Sequence, residues 1–486
     1  MTTDYARPLL DAPELLTPPA SGTDQTPTFD LLGPSEPLPS LRPTVGCVIP
    51  AYNESDSIAH VLESLLAQTR VPDVIHVVVN NTTDDTVERA GVFAGEHPRP
   101  GVPGQRCTVY VHDIGANPDK KVGALNYGYA LVEHCDYLLG VDGDTVAAPD
   151  AVEHLLEEIH SDSRIGGISA IYAANDEHTH GPIAGFLIAG QRAQFAAFNM
   201  QNLLRGRNMA VLGGQYSIFS MSALREVMRT SRQATPWVRD SEVEDSLLSL
   251  QIKNAGYLTK ISARARAQVG AMTTLRGLDA QQVKWNHGAI ELMWPGQRGN
   301  TKGQPFHPNL RLRWFEHGSM VLNLLTRILF AFLLAGSLSI DAYVFSAWWL
   351  VPPVVAILLN LRVAHSMHDR STRDYLFALL VVPAEMYMWL RLGHFVRAWV
   401  KFFSRSSSDN WAAQARAEQG RGYSYLGPLA ALVILVASVV AIWTQLSIET
   451  RSDVLSVMWP ILGVITVLQT AFMARRVVRR YRGYRA

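Results

Sequence analysis

Residues 137–145 read Tyr-Leu-Leu-Gly-Val-Asp-Gly-Asp-Thr, a short apolar run ending in two aspartates separated by one glycine. An apolar run of this length, without polar alternation, fits a strand covered on both faces. Three similar runs precede it: Thr44–Pro50 (TVGCVIP), Val74–Val79 (VIHVVV) and Cys107–His112. Between the first two, Ser57–Gln68 places Ile58, Val61, Leu62, Leu65 and Leu66 on one helical face. Further helical stretches lie near 121–134 and 150–160. The alternation predicts an α/β domain with a parallel sheet. In such sheets ligands bind beyond the carboxyl ends of the strands, so the polar clusters after the strands are where chemistry should sit.

Asp142 and Asp144, at i and i+2 on a strand end, can hold a divalent cation and, through it, a diphosphate. In isolation an Asx-turn is the better explanation of such a pair, but its place after an apolar strand in an α/β pattern favours the metal. Pro50-Ala51-Tyr52-Asn53-Glu54 follows the first strand, and Asn80-Asn81-Thr82-Thr83-Asp84-Asp85-Thr86 the second. Lys121-Val122-Gly123-Ala124-Leu125-Asn126 precedes the aspartate pair. Singly these are a helix N-cap, a polar turn and an ordinary helix start. Together they read as a nucleotide pocket, with amides to meet a base edge and a lysine to neutralise phosphate. Downstream, Glu244 and Asp245 open a helical segment, where they either favour its N-terminus or supply a general base. Gly213-Gly214-Gln215-Tyr216 marks a tight turn or a close backbone approach to a ligand. Gln281-Gln282-Val283-Lys284-Trp285 combines amides, a cation and a large aromatic, a pattern an exposed helix face also explains.

Composition bounds the rest. The 43 Lys+Arg balance 43 Asp+Glu, which excludes the overall basic character of a bulk nucleic-acid binder. Three cysteines, Cys47, Cys107 and Cys135, cannot form a disulfide framework and point to a reducing compartment. Residues 1–43 are rich in proline, lack any periodicity and read as a disordered tail. They carry neither the basic nor the apolar region of a signal peptide.

After residue 319 the sequence turns apolar. Segments 320–340, 342–364, 425–448 and 454–474 are each long enough to cross a hydrocarbon core of roughly 30 Å. Arg327 weakens the first. Segment 376–396 contains Glu385 and Arg391 and is expected to lie at the interface. With four spans, the arginines of 397–427 and of the basic tail 475–486 fall on the cytoplasmic side. A fifth span would export the tail, against the positive-inside rule. The expected protein is therefore a cytoplasmic domain, 44–319, on a multi-pass anchor in the cell membrane.

The ordered set PAYNE, TDDT, KVGALN, VDGDT, VEDSLLSLQIKNAGY and QQVKW resembles the family-2 inverting glycosyltransferases. The closest resemblance is to membrane-integrated synthases of the cellulose, chitin and hyaluronan type. By motif it covers roughly residues 44–300. The resemblance implies a GT-A fold, a Rossmann-like nucleotide-sugar domain followed by transmembrane helices. It implies that Asp142 contacts the nucleotide and that Asp144 binds Mg²⁺ or Mn²⁺. Ala51, Asn53, Glu54, Asn80 and Lys121 would complete the nucleotide-sugar pocket. Asp245 would be the catalytic base, while Glu244, Gln281, Lys284 and Trp285 would hold the diphosphate and the acceptor. Two positions depart from the family pattern. Asn80 stands where an aspartate usually pairs with uracil, and Lys284 stands in place of an arginine, whose planar fork lysine lacks.

The implied partners are a nucleotide-sugar donor, most simply a UDP-sugar, a glycan or lipid acceptor and membrane lipid. No nucleic acid is expected, and a homo-oligomer is left open. The favoured function is a processive β-polysaccharide synthase. The alternatives are a transferase adding one sugar to a polyprenyl phosphate or other lipid, and an inactive transporter or scaffold. A loop over 402–411 with Trp411 is either a solvated connection or a segment closing over the site.

Overall fold

The computed structural model describes residues 42–99, 106–175, 181–239, 243–295, 304–404 and 426–479. The expected tail (up to residue 41), Trp411 with most of its loop, and the arginine-rich end after Arg479 lie outside these residues. The four apolar runs form strands: β1 (Val45–Ala51), β2 (Val74–Val79), β4 (Arg106–Asp113) and β5 (Tyr137–Val141). A short β3 (Gly95–Pro98) precedes β4 and pairs with it antiparallel. Helices α1 (Ile58–Leu66), α2 (Thr86–Gly91) and α3 (Lys120–Val132) connect them. The chain continues through β6 (Val146–Ala147), α4 (Ala151–His160), β7 (Ile165–Ala174) and α5 (Gly181–Leu204). Then come β8 (Tyr216–Ser220), α6 (Met221–Ser231), α7 (Glu244–Asn254), β9 (Leu258–Val269) and α8 (Leu275–Met293).

The nine strands among the described residues share one sheet in the order β3-β4-β2-β1-β5-β8-β7-β9-β6. Strands β4, β2, β1 and β5 run parallel, in register from Val45↔Tyr137 and Gly46↔Val74. The expectation of a wholly parallel sheet is corrected in the other half. There β8 lies antiparallel between β5 and β7, and β6 antiparallel to β9, so the sheet is mixed. Strand direction leaves no trace in apolar periodicity, because a buried strand is apolar whichever way it runs.

Alternate residues of each strand face opposite layers. Cys47 and Ile49 of β1 pack with Ile58, Leu62 and Leu65 of α1 and Leu155 of α4. Val48 faces Leu125 and Val132 of α3, in the layer that also holds Leu224 of α6 and Leu248 of α7. Most of these side chains are wholly shielded from solvent. Burying each stabilises the fold by roughly 1.5–3 kcal/mol. The parallel strands therefore end together on one edge with little freedom to shift.

The apolar half is helical: α9 (Arg311–Leu338), α10 (Val351–Ser366), α11 (Thr372–Leu379), α12 (Val381–Phe403), and two last helices, Leu426–Gln445 and Ile448–Val478. Among the described residues three stretches, Pro308–Leu338, Ala347–Ser366 and Ile448–Val478, are long and apolar enough to cross a membrane. Segment 376–396, expected as one interfacial helix, is instead divided at Leu380, with α11 and α12 bent by 83°. Pro383 falls in the first turn of α12, where its missing N–H costs nothing but where a continuous helix from α11 would lose a bond. The two charges that weakened separate apolar segments meet: Arg327 holds Glu385 through two hydrogen bonds of 2.8 and 2.7 Å.

Candidate active site

The loop after β1 and the turn after β2 hold each other. Asn53 donates its backbone N–H to Thr82 Oγ1 (3.1 Å), and its side-chain oxygen accepts from the Thr83 N–H (2.9 Å). Glu54 N donates to Thr86 Oγ1 (2.8 Å) and Ser55 N to Asp84 Oδ2 (3.1 Å). Asn53 and Asn81 adopt left-handed backbone, φ 54° and 53°, a region asparagine tolerates because its short side chain bonds locally. The TDDT turn is thus a clasp for the first loop. Burial works against the Asp84 charge, yet the Thr86 hydroxyl and the Ser55 and Thr86 N–H groups hold its pKa below the ordinary value. Asn80 is buried, donating to the Ala51 carbonyl (3.3 Å) and accepting from the Asn81 amide (3.0 Å). The Ser57 hydroxyl lies within 2.7 Å of Glu54 Oε2 and 2.8 Å of the Gly143 carbonyl, joining this loop to the aspartate pair.

The centre of the site is Lys121, in the first turn of α3. Its ammonium lies 2.7 Å from Asp142 Oδ1 at the end of β5 and 3.3 Å from Glu244 Oε1 at the start of α7. Burial opposes its charge, but Asp142, Glu244 and Asp245 together hold its pKa well above the usual lysine range. Asp245 accepts a hydrogen bond from the backbone N–H of Gly214 (2.9 Å). Burial, then the adjacent Glu244, push its pKa up to about 8. Burial and Asp142 likewise push Asp144 up to about 6.

Glycines make these approaches possible. A Cβ on Gly214 would lie 2.6 Å from Asp245 Oδ2 and 2.9 Å from Lys121 Nζ, and one on Gly270 would lie 2.4 Å from Asp144 Oδ2. The Gly213–Gln215 turn is itself tied down, with the Tyr172 hydroxyl donating to the Gly213 carbonyl (3.1 Å) and Gly213 N to Ser169 Oγ (3.0 Å).

One cavity of about 3260 Å³ gathers Ala51, Glu54, Asn80, Lys121, Asp142, Asp144, Glu244, Asp245, Gln281, Lys284 and Trp285. Of the expected site residues only Asn53 is not among its walls, because its side chain is turned to the Thr83 turn. Lys284 is buried, and Gln281 and Trp285 are half-buried on α8, so this stretch is not a solvated helix face. Sequence reading passed over Tyr172, Gln194 and Tyr387. Tyr387 donates to Gln194 (3.0 Å), whose amide donates to Gln282 (3.1 Å), linking α12 through α5 to α8. No local motif marks them; the one available signal was polar residues in the otherwise apolar helix α5.

Four carboxylates converge around one lysine, an excess of negative charge that a cation would offset. Among the described residues no group of three or more His, Cys, Asp or Glu side chains is arranged to hold a metal. Asp144 with Asp142 offers two hard oxygen donors, which fits Mg²⁺ or Mn²⁺ completed by phosphate oxygens and water.

Residues 47–228 match the family described as Glycosyl transferase family 2. Poly-beta-1,6-N-acetyl-D-glucosamine synthase of Staphylococcus epidermidis is 24% identical over 259 residues, 52% of this chain and 57% of the relative. The synthase of that name in Staphylococcus aureus is 23% identical over 246 residues, 51% of this chain and 54% of the relative. The chain thus spans about half the length of the curated relatives it matches. Among solved structures, a mannosyltransferase of Pyrobaculum calidifontis in complex with GDP-Man and Mn²⁺ aligns with a TM-score of 0.48 and 18% identity. That alignment covers 76% of this chain and 89% of the other.

Proposed function

We propose that this chain, whose residues 47–228 match the glycosyl transferase family 2, is a membrane-bound inverting glycosyltransferase. It extends a β-linked polysaccharide from a nucleotide-sugar, with a UDP-sugar as the simplest donor. The observation that carries the reading is the grouping of Asp142 and Glu244 around the half-buried ammonium of Lys121, beside an N–H-held Asp245, at the strand ends of the sheet.

Breaking a sugar–diphosphate bond builds negative charge on the leaving phosphate, which Lys121 is placed to neutralise in a site of low dielectric. Asp142 and Asp144 would hold the divalent cation, whose contribution is to stabilise the same charge as a Lewis acid. Asp245 takes the proton of the acceptor hydroxyl as the new bond forms on the opposite face of the sugar. That geometry inverts the anomeric carbon. The raised pKa makes Asp245 a stronger base once ionised, and the cationic Lys121 beside it, with a bound divalent cation, would favour that ionised form. Trp285 offers the acceptor sugar a flat apolar face with a polar edge.

The size of the cavity supports an extended product. Small-ligand pockets span roughly 300–1,000 Å³, whereas this one occupies about 3260 Å³ and continues between the apolar helices past Arg327, Glu385, Trp349 and Trp459. The arginines that precede Leu426 and those from Arg475 onward, against the single Arg451 between the last two apolar segments, favour a cytoplasmic side for the catalytic domain. The reading is tested by incubating purified protein with a panel of UDP- and GDP-sugars and measuring nucleotide release. Wild type should release nucleotide from one donor, and Asp245→Asn should not. Equal release by both would remove Asp245 from the mechanism.

A further inference from the structure

Where the sheet domain meets α9 and the end of the helix Ile448–Val478, a second cavity of about 650 Å³ opens. Its walls carry Arg205, Lys253, Arg311, Arg475, Arg476 and Arg479, and among the described residues neither aspartate nor glutamate lines it. The nearby carboxylate, Glu316, is already 3.6 Å from Arg205. Two aromatic rings, Phe315 of α9 and Phe472 of the last helix, stand 6.0 Å apart in the wall. The Arg205 guanidinium lies 4.8 Å over the first and that of Arg476 6.0 Å over the second.

The basic end of the last helix is fixed. Arg362 of α10 donates to the carbonyls of Arg476, Val477 and Arg479, which closes the end of that helix and positions its arginines. On the opposite wall the Lys253 ammonium donates to the Met209 carbonyl. Burial, reinforced by Arg313, holds its pKa down to about 8. Positive charge is therefore crowded here, in a rigid cavity, at one end of two helices long enough to span a membrane.

An anion satisfies the cations, and the rings require more than an anion. Phe315 and Phe472 are 45% and 46% exposed, and beyond them both helices stay apolar and exposed, at Leu325 and Ile328 on one and Val464, Val467 and Leu468 on the other. A free phosphate or sugar phosphate uses only the basic wall. A phospholipid uses both, with its phosphate among the arginines and its acyl chains along the helices. We infer that this cavity, which shares Phe315, Phe472 and Arg476 with the wall of the large cavity but none of the carboxylate-site residues, is a binding site for the headgroup of an anionic phospholipid. The inference rests on the reading of α9 and the last helix as membrane spans.

The test uses the full chain in detergent, with native mass spectrometry of lipid retained from equal mixtures of phosphatidylglycerol and phosphatidylcholine. Wild type should retain phosphatidylglycerol selectively. At about five-fold in affinity per cation near a membrane surface, the pair Lys253→Gln and Arg475→Gln should weaken that retention about 25-fold. Melting in phosphatidylcholine alone checks that the double variant is folded; should it not fold, the wild-type selectivity decides. Equal retention of the two lipids by wild type would overturn the inference. So would displacement of phosphatidylglycerol by inorganic phosphate at matched concentration, since the apolar wall would then contribute nothing. Release of the chain from membranes by alkaline carbonate would instead refute the spans on which the site depends.

Discussion

Asp245→Asn separates the chemical role of this side chain from its structural cost. The amide is nearly isosteric, and its oxygen can still accept from Gly214 N–H, so the 2.9 Å contact survives. In the wild type the carboxyl keeps its proton in the folded, metal-free protein up to about pH 8, whereas an aspartate in the unfolded chain loses it near pH 4. The native state therefore binds the extra proton throughout that window, and stability falls as pH rises through it. Between pH 6 and pH 8 the loss is about 2 kcal/mol, from ~1.4 kcal/mol per pH unit with levelling near the folded pKa. The variant has no such proton. Asp144, raised to about 6, adds the same kind of slope to both proteins, so the difference between them isolates Asp245. Thermal melts in chelator at pH 6, 7 and 8 should show wild type losing several degrees relative to the variant. In the transfer assay the variant should lose about 10²–10⁴-fold in turnover, the range for a removed general base, while still binding nucleotide. Parallel melting curves across this pH range would refute the half-buried, carboxylate-crowded environment assigned to Asp245. Wild-type turnover would refute its role.

Asp144→Asn, or chelation of the wild type, should abolish transfer, and added Mn²⁺ or Mg²⁺ should restore the chelated wild type but not the variant. Gly214→Ala should lower turnover about 100-fold with little change in melting temperature. Its Cβ, 2.6 Å from Asp245 Oδ2, displaces the base, and displacements near 1 Å cost about that much. Arg192→Met should destabilise the protein by roughly 3–5 kcal/mol. It leaves Asp374, whose side chain is fully buried and holds the guanidinium at 2.9 Å through both oxygens, without its partner. Adding Asp374→Leu should recover much of the loss in a thermal melt.

The parallel half of the sheet was legible because helices alternate there with doubly covered strands such as VIHVVV, and a helical crossover returns the chain to run in the same direction. The antiparallel insertion of β8 was not, since direction is set by where Gly213–Gln215 turns the chain. Asp142, Asp144, Lys121 and Asp245 were legible from their place after strands or at helix starts. Asn53, expected in the nucleotide-sugar pocket, turns its side chain to the Thr83 turn; a left-handed asparagine that binds a neighbouring turn has the same sequence signature as one facing a ligand. Arg327 and Glu385 each counted against a separate apolar segment. Only the folded chain brings them to a bidentate pair, because charges 58 residues apart carry no pairing information in sequence. Tyr172, Gln194 and Tyr387 act through contacts between distant elements and were invisible for the same reason.

Product length tests the central claim most directly. Protein reconstituted into vesicles, supplied with the donor that supports nucleotide release and with divalent metal, should yield a glycan whose size rises with time to a high polymer and which disappears in Asp245→Asn. A single discrete product, one sugar on a lipid, formed at every donor concentration and time, would contradict the proposal of a polysaccharide synthase.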